Sequence, residues 1–149
     1  MNPVAVMRVY PERNSSLFAR VVIWRTFKEF WAARPDLRRK ARGSCTGHNW
    51  YRFRHGKKRK QPIFCSVNLC LKQMGAGTTA HEFTHAAIQW ANRVGLDPTG
   101  IFEETWLPMG EHARGSNDCD EERFCHALGE MYRQFNDRCY RDGIYGLVK

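Results

Sequence analysis

Thr78–Gly95 reads TTAHEFTHAAIQWANRVG, and it carries two of the chain's six histidines, His81 and His85, four residues apart with Glu82 directly after the first. The stretch is either an ordinary amphipathic helix or the core of a metal site. Helical geometry helps to separate the two. At about 100° per residue, Phe83, Ala87, Trp90 and Val94 fall on one narrow stripe, the face that a core would bury. His81 and His85 project from the other side with Ile88 and Asn92, stacked about 6 Å apart along the axis. The plain reading leaves that second face in water and makes Glu82 the reciprocal partner of Thr79 in a capping box, since Thr-Ala-His-Glu also fits a helix start. Ile88 argues against it, because an apolar side chain among the histidines calls for a second packed layer or a cleft.

The spacing His-Glu-x-x-His lets two neutral imidazoles bind one Zn²⁺ at about 2.0–2.1 Å, while the glutamate beside the first histidine reaches the water that the metal activates. His81 and His85 are then ligands and Glu82 the general base. A catalytic zinc site needs a third protein ligand and keeps one position open, so a further Glu, Asp or His must follow downstream.

The rest of the chain sets bounds on this reading. At 149 residues with 42% hydrophobic and 13% aromatic side chains it can build one domain, 1–149, with a sizeable core, which argues against disorder. No apolar run is long enough to cross a membrane, and MNPVAVMRVYPERNSS lacks the apolar middle and cleavage site of a signal peptide. A cytoplasmic protein without a membrane partner is expected. Cys45, Cys65, Cys70, Cys119, Cys125 and Cys139 form no tight framework and no Cys-x-x-Cys pair, so they read as reduced thiols. Cys45 and His48 have the spacing of half a zinc knuckle, with no second half after them.

Charge is concentrated in one place. Between Arg34 and Lys60 lie 11 Lys and Arg against the single acid Asp36, which accounts for the whole net charge of +9. Trp50, Tyr51 and Phe53 are interleaved with these charges, a combination that suits phosphate backbones and stacked bases, although a solvated loop would look the same. An alternative function therefore stands: a basic nucleic-acid-binding module in which zinc is structural or absent.

Val4–Tyr10 reads as a strand. Leu17, Phe18, Val21, Trp24, Phe27 and Trp31 fit helical spacing over Leu17–Ala33, with Pro35 as the stop, while Val-Val-Ile-Trp keeps a strand open. Trp50–Arg54 alternates, Gly56–Lys60 reads as a turn, and Pro62–Cys70 as a strand, so the two strands resemble a hairpin with a basic tip. An irregular region with Trp106 and His112 follows the motif helix. A last amphipathic helix is expected, with Phe124, Cys125, Leu128, Met131, Tyr132 and Phe135 on its apolar face.

Glu121 and Glu122 open that last helix. Acids belong in a first helical turn, where they oppose the dipole, and that reading suffices for them alone. Beside HEFTH they also meet the need for a third ligand. HEFTHAAIQWA followed by ERFCHALG resembles the gluzincin-type zinc metallopeptidases, and in particular the small metallopeptidases encoded by phages and prophages, whose second motif has a glycine seven residues after a glutamate. Glu122 and Gly129 keep that spacing. The resemblance covers roughly residues 60 to 135, with HExxH as its specific part. It implies an α+β zincin-like domain with a small antiparallel or mixed sheet, an HExxH helix and a C-terminal ligand-bearing helix. It implies peptide-bond hydrolysis in a bacterial or phage-infected cell, with His81, His85 and Glu122 on Zn²⁺ and Glu82 as base.

Alternatives remain at several positions. Helical geometry puts Glu121, not Glu122, on the Phe124/Leu128 face. The SprT-like proteases also carry HExxH in a basic, DNA-associated protein, and there a later histidine is the ligand; His112 is the candidate for it here. His126, one turn beyond Glu122, is placed to orient it. His112 and Tyr132 are candidates to stabilise an oxyanion by residue type. An extended substrate is expected to add to the strand before the motif helix.

Overall fold

The structure is a computed structural model of the chain and describes residues 2–37, 40–96 and 117–148. Trp106 and His112, with the region expected to be irregular, lie outside the described residues. The elements run β1 (Ala5–Val9), β2 (Phe18–Trp24), α1 (Phe27–Ala33), β3 (Gly43–Gly47), β4 (Tyr51–Arg54), β5 (Lys57–Lys60), β6 (Ile63–Cys70), α2 (Ala76–Val94) and α3 (Asn117–Arg141). Four strands form one mixed sheet in the order β1-β2-β6-β3, with β2 and β6 parallel and the outer pairs antiparallel. The class is α+β, with the HEFTH residues on α2 and Glu121 and Glu122 on α3.

The expected helix over Leu17–Ala33 is a correction. Its first half is β2, because Val21, Val22 and Ile23 are β-branched and find β6 as a parallel partner, with Val21 opposite Val67 and Ile23 opposite Leu69. Burial on both sides of a central strand produces a continuous apolar run that spacing alone cannot tell from a helix. The helix starts only at Thr26, whose Oγ1 accepts from the Glu29 N–H at 3.3 Å while the Thr26 N–H donates to Glu29 Oε2 at 3.0 Å. This reciprocal capping box fixes the boundary.

The hairpin also differs from expectation. β4 pairs with β5, not with β6, through a two-residue turn at His55 and Gly56, whose φ angles are 49° and 71°. Two left-handed residues in succession make the type I′ turn that matches strand twist, and glycine takes the second position without strain. Lys57–Lys60 are therefore a strand rather than a tip. β6 is left free to sit in the middle of the main sheet, buried and paired on both edges. The expectation that an extended substrate joins the strand before the motif helix fails for the same reason, and among the described residues the outer strand beside α2 is β3.

α2 packs on β3 and β6, and α3 packs beside it on α2 and β1. Phe83, Ala87 and Trp90 are fully buried, as their stripe requires, and Val94 is half-buried. Phe83 meets Phe135 of α3 at 5.1 Å and Tyr132 at 5.7 Å between ring centroids. Burial of each such side chain contributes about 1.5–3 kcal/mol. Gln134 ties the far side of α3 to the end of β1, accepting from the Tyr10 N–H at 2.9 Å and donating to the Tyr10 carbonyl at 3.1 Å. Cys45, Cys65, Cys70, Cys125 and Cys139 are free thiols, and among the described residues no helix is long and apolar enough to cross a membrane.

Candidate metal centre

α2 begins at Ala76 with Gly75 as its cap, so Thr79 is an interior residue, buried, with its hydroxyl bonded to the Gly75 carbonyl at 3.1 Å. The capping box from Thr79 to Glu82 is not formed. Glu82 is thus free of a capping role, and His81 and His85 stand in the second and third turns. Both histidines are exposed. Their Nε2 atoms nevertheless converge to 3.2 Å, with the rings nearly perpendicular at 89°. Two nitrogens that share a tetrahedral zinc at about 2.0–2.1 Å stand about 3.3 Å apart. The imidazole pair therefore fits as two of the ligands of such an ion, each presenting the nitrogen that would bind.

Glu82 points the other way around the helix, toward the sheet edge, and is 6% exposed. It lies against Gly43 of β3 so closely that a Cβ on that residue would stand 2.8 Å from Glu82 Cγ and 2.9 Å from Oε1. Gly47 repeats the arrangement, where a Cβ would collide with the Gln89 carboxamide. Gly43, Cys45 and Gly47 share one face of β3 by strand alternation, and this small-residue face is what lets α2 approach. Burial pushes the Glu82 carboxyl above its ordinary value, against the opposing pull of His81 and Arg34. Arg34 is itself fixed. Its guanidinium grips Asp36 at 2.6 and 2.9 Å and donates to Ser44 Oγ at 2.8 Å.

Gly43 and Arg34 were not singled out in the sequence as parts of this site. A signal for the first was present in Gly-Ser-Cys-Thr-Gly, whose alternate small residues mark a close approach of another element. Nothing local to Arg34 distinguishes it from the ten other basic residues around it.

α3 is helical from Asn117, so Glu121 and Glu122 stand in its second turn rather than opening it, ahead of its buried residues Phe124, Ala127, Met131 and Phe135, while Cys125, expected on that face, is exposed. Both are exposed, and Glu122 Oε1 stands 4.0 Å from Nε2 of His126, one turn on. Glu122 and His126 border a depression of about 450 Å³ with Cys125, Gly129, Glu130 and Arg133, a wall that does not contain His81 or His85. Among the described residues no group of three or more His, Cys, Asp or Glu gathers as a metal site. The structure thus brings the two histidines together and leaves the glutamates of α3 apart from them. His112, the SprT-like ligand candidate, lies outside the described residues. Tyr132 packs nearly perpendicular to the Phe83 ring, on the side of α2 away from the histidines.

The half-knuckle of Cys45 and His48 does not form. The two residues are three apart on a strand and its extension, so they face opposite sides of the sheet. His48 Nε2 bonds to Ser66 Oγ at 2.8 Å, while Cys45 lies beside Cys65, whose thiol is pushed up by a hydrogen bond with Cys45 and by burial. Searches against protein-family models, curated proteins and solved structures find no match to this chain.

Proposed function

We propose that the protein is a zinc-dependent metallopeptidase of zincin-like architecture, with His81 and His85 as ligands, Glu82 as the general base, and Glu122, which stands apart from the pair in this structure, as the proposed third ligand. The observation that carries this reading is the 3.2 Å approach of two exposed imidazole nitrogens, one residue away from a buried carboxylate that has no capping role. Nothing in the packing of the core demands that pair. Bound zinc supplies Lewis acidity toward a carbonyl oxygen and a water acidified to a pKa of about 7.

The chain's own residues do the rest. Glu82 accepts a proton from the attacking water and returns it to the leaving amine, a shuttle suited to a carboxyl whose pKa burial has raised. Arg34, held by Asp36 and Ser44, offsets part of that burial and limits the rise. β3 offers the outer edge of the sheet next to Glu82, where an extended peptide can pair with the backbone. Glu122 lies in the second turn of the helix whose buried face lies on α2, with His126 Nε2 4.0 Å from its carboxylate. Free thiols at five cysteines suit a reducing compartment, and the reading places the activity in the cytoplasm.

The test compares zinc-loaded wild type with Glu82→Gln for cleavage of denatured casein and of a mixed peptide library. Hydrolysis should fall about 10²–10⁴-fold while zinc content is unchanged. Loss of zinc in Glu82→Gln equal to that in a histidine variant would remove Glu82 from the role of base, and equal hydrolysis by the two proteins would remove the activity from this site.

A further inference from the structure

The β4–β5 hairpin stands apart from the main sheet, as its own two-stranded ribbon, and all of its side chains described are exposed. Its register is unusual. Arg52 faces Arg59 directly across the ladder, and Arg54 is paired in register with Lys57. Like charges opposite one another destabilise an isolated ribbon. No acid lies between Tyr51 and Lys60 to relieve them. On the other face, Tyr51 pairs with Lys60 and Phe53 with Lys58, and the Lys58 ammonium sits 4.0 Å from the centre of the Tyr51 ring. Phe53 is 73% exposed and Tyr51 46%, so two aromatic rings stand in water about 6.7 Å apart along one strand, between lysines.

The base of the ribbon is fixed. Arg93 of α2 is buried and donates through Nη2 to the carbonyls of Asn49, Gln61 and Ile63 at 3.4, 2.9 and 3.4 Å, with its guanidinium 5.3 Å from the Trp50 ring. A buried arginine holds both ends of the excursion, where a merely solvated charged loop needs no such anchor. Arg34, at the start of the basic run, is occupied by Asp36 and Ser44 and does not belong to this surface.

From this we infer that the hairpin is a binding surface for single-stranded nucleic acid: one face carries Arg52, Lys57 and Arg59 for phosphates, and the other stacks bases on Tyr51 and Phe53. The two faces share the work that such proteins divide between a basic track and aromatic platforms. Single strands fit better than a duplex, because exposed rings gain most from bases that are not already stacked on a complement. A bound polyanion also relieves the repulsion between Arg52 and Arg59, so the ribbon is more stable occupied than free.

The experiment is a fluorescence-anisotropy titration of full-length protein against labelled oligothymidine, with a self-complementary duplex and phosphatidylserine vesicles in parallel, each over a series of salt concentrations. Wild type should bind the single strand with log–log salt slope of about −0.7 per phosphate contact. Lys57, Lys58, Arg59 and Lys60 replaced together by Ser should flatten that slope by up to about 2.8. Phe53→Ala should weaken binding about 5- to 150-fold with an unchanged slope, and Phe53→Trp should restore it. Circular dichroism of each variant shows that the fold is retained, and Glu82→Gln should bind as wild type does, which separates this surface from hydrolysis. Absence of single-strand binding at low salt, equal slopes for wild type and the four-site variant, tighter binding of duplex or vesicles, or no effect of Phe53→Ala would each overturn the inference.

Discussion

β3 and the β4–β5 hairpin follow one another in the chain, are built of strands of four or five residues, and carry almost no apolar side chains toward a core. β3 is built of small residues, Gly43 to Gly47, and its value is what it lets approach: α2 comes close enough to bury Glu82 against Gly43. The hairpin is built of long charged and aromatic residues that touch little, and it is held at its base by Arg93. One region creates a fixed geometry through contact. The other displays charge in solvent, where the nucleic acid proposed for it would bind. Substitutions should therefore act through structure and chemistry in the first region and through binding alone in the second.

The sharpest form of that contrast sets two phenylalanines side by side. Phe83→Ala should cost about 3–5 kcal/mol in urea unfolding, because it opens a cavity between α2 and α3 beneath Tyr132 and Phe135. Phe53→Ala should stay within about 0.5 kcal/mol of wild type. Similar losses for the two would mean that the hairpin is part of the cooperative core. Next in size is Gly43→Ala, whose new methyl must push the Glu82 side chain aside; hydrolysis should fall by about 10²-fold with zinc retained. Replacing Lys57–Lys60 by Ser should leave hydrolysis of an uncharged peptide at the wild-type rate.

A smaller effect bears on α3. Zinc affinity should drop far more in Glu122→Ala than in Glu121→Ala, since Glu121 stands in the second turn of α3, beyond the reach of the helix dipole. The reverse order in a competitive chelator titration would make Glu121 the ligand, and loss confined to His112→Ala would favour the SprT-like arrangement. The smallest expected change is on the acid limb of stability. Hydrogen bonds from Arg133 and Gln134 hold the Glu130 carboxyl down at about 2. A lowered carboxylate stabilises the fold above its ordinary pKa of about 4.3 and loses that contribution as pH falls through the folded value. Wild type should therefore lose more melting temperature than Glu130→Gln between about pH 5 and 2, and parallel curves would show that the exposed Arg133 pair contributes nothing.

The parts of the fold that could be read in the sequence are those whose pattern is local. α2 declared itself because Phe83, Ala87 and Trp90 recur at the helical period, and the same period put His81 and His85 on the outer face. α3 was legible through Phe124, Met131 and Phe135. β2 was not, since its identity depends on β6, more than 40 residues away, and Val21–Trp24 alone satisfies either period. Thr26-x-x-Glu29 and His55-Gly56 were usable punctuation, a capping box and a type I′ turn, that mark the true boundaries of α1 and the hairpin. β3 had no hydrophobic alternation to announce it. Of the candidate site, His81, Glu82 and His85 follow from one motif on one helix, whereas Gly43 and Arg34 enter through contacts between elements that no single stretch of sequence contains.

The central claim is that the convergent imidazoles on α2 hold a metal, and zinc stoichiometry measures it directly. Purified wild type, His81→Ala, His85→Ala and Glu82→Gln would be dialysed against zinc, freed of excess and assayed by elemental analysis, with circular dichroism to confirm the fold. Stoichiometric zinc is expected in wild type and Glu82→Gln and its loss in both histidine variants. Zinc retained equally by a folded His81→Ala and His85→Ala, or never bound by wild type, would contradict the claim and reduce the 3.2 Å approach to a hydrogen bond between two surface histidines.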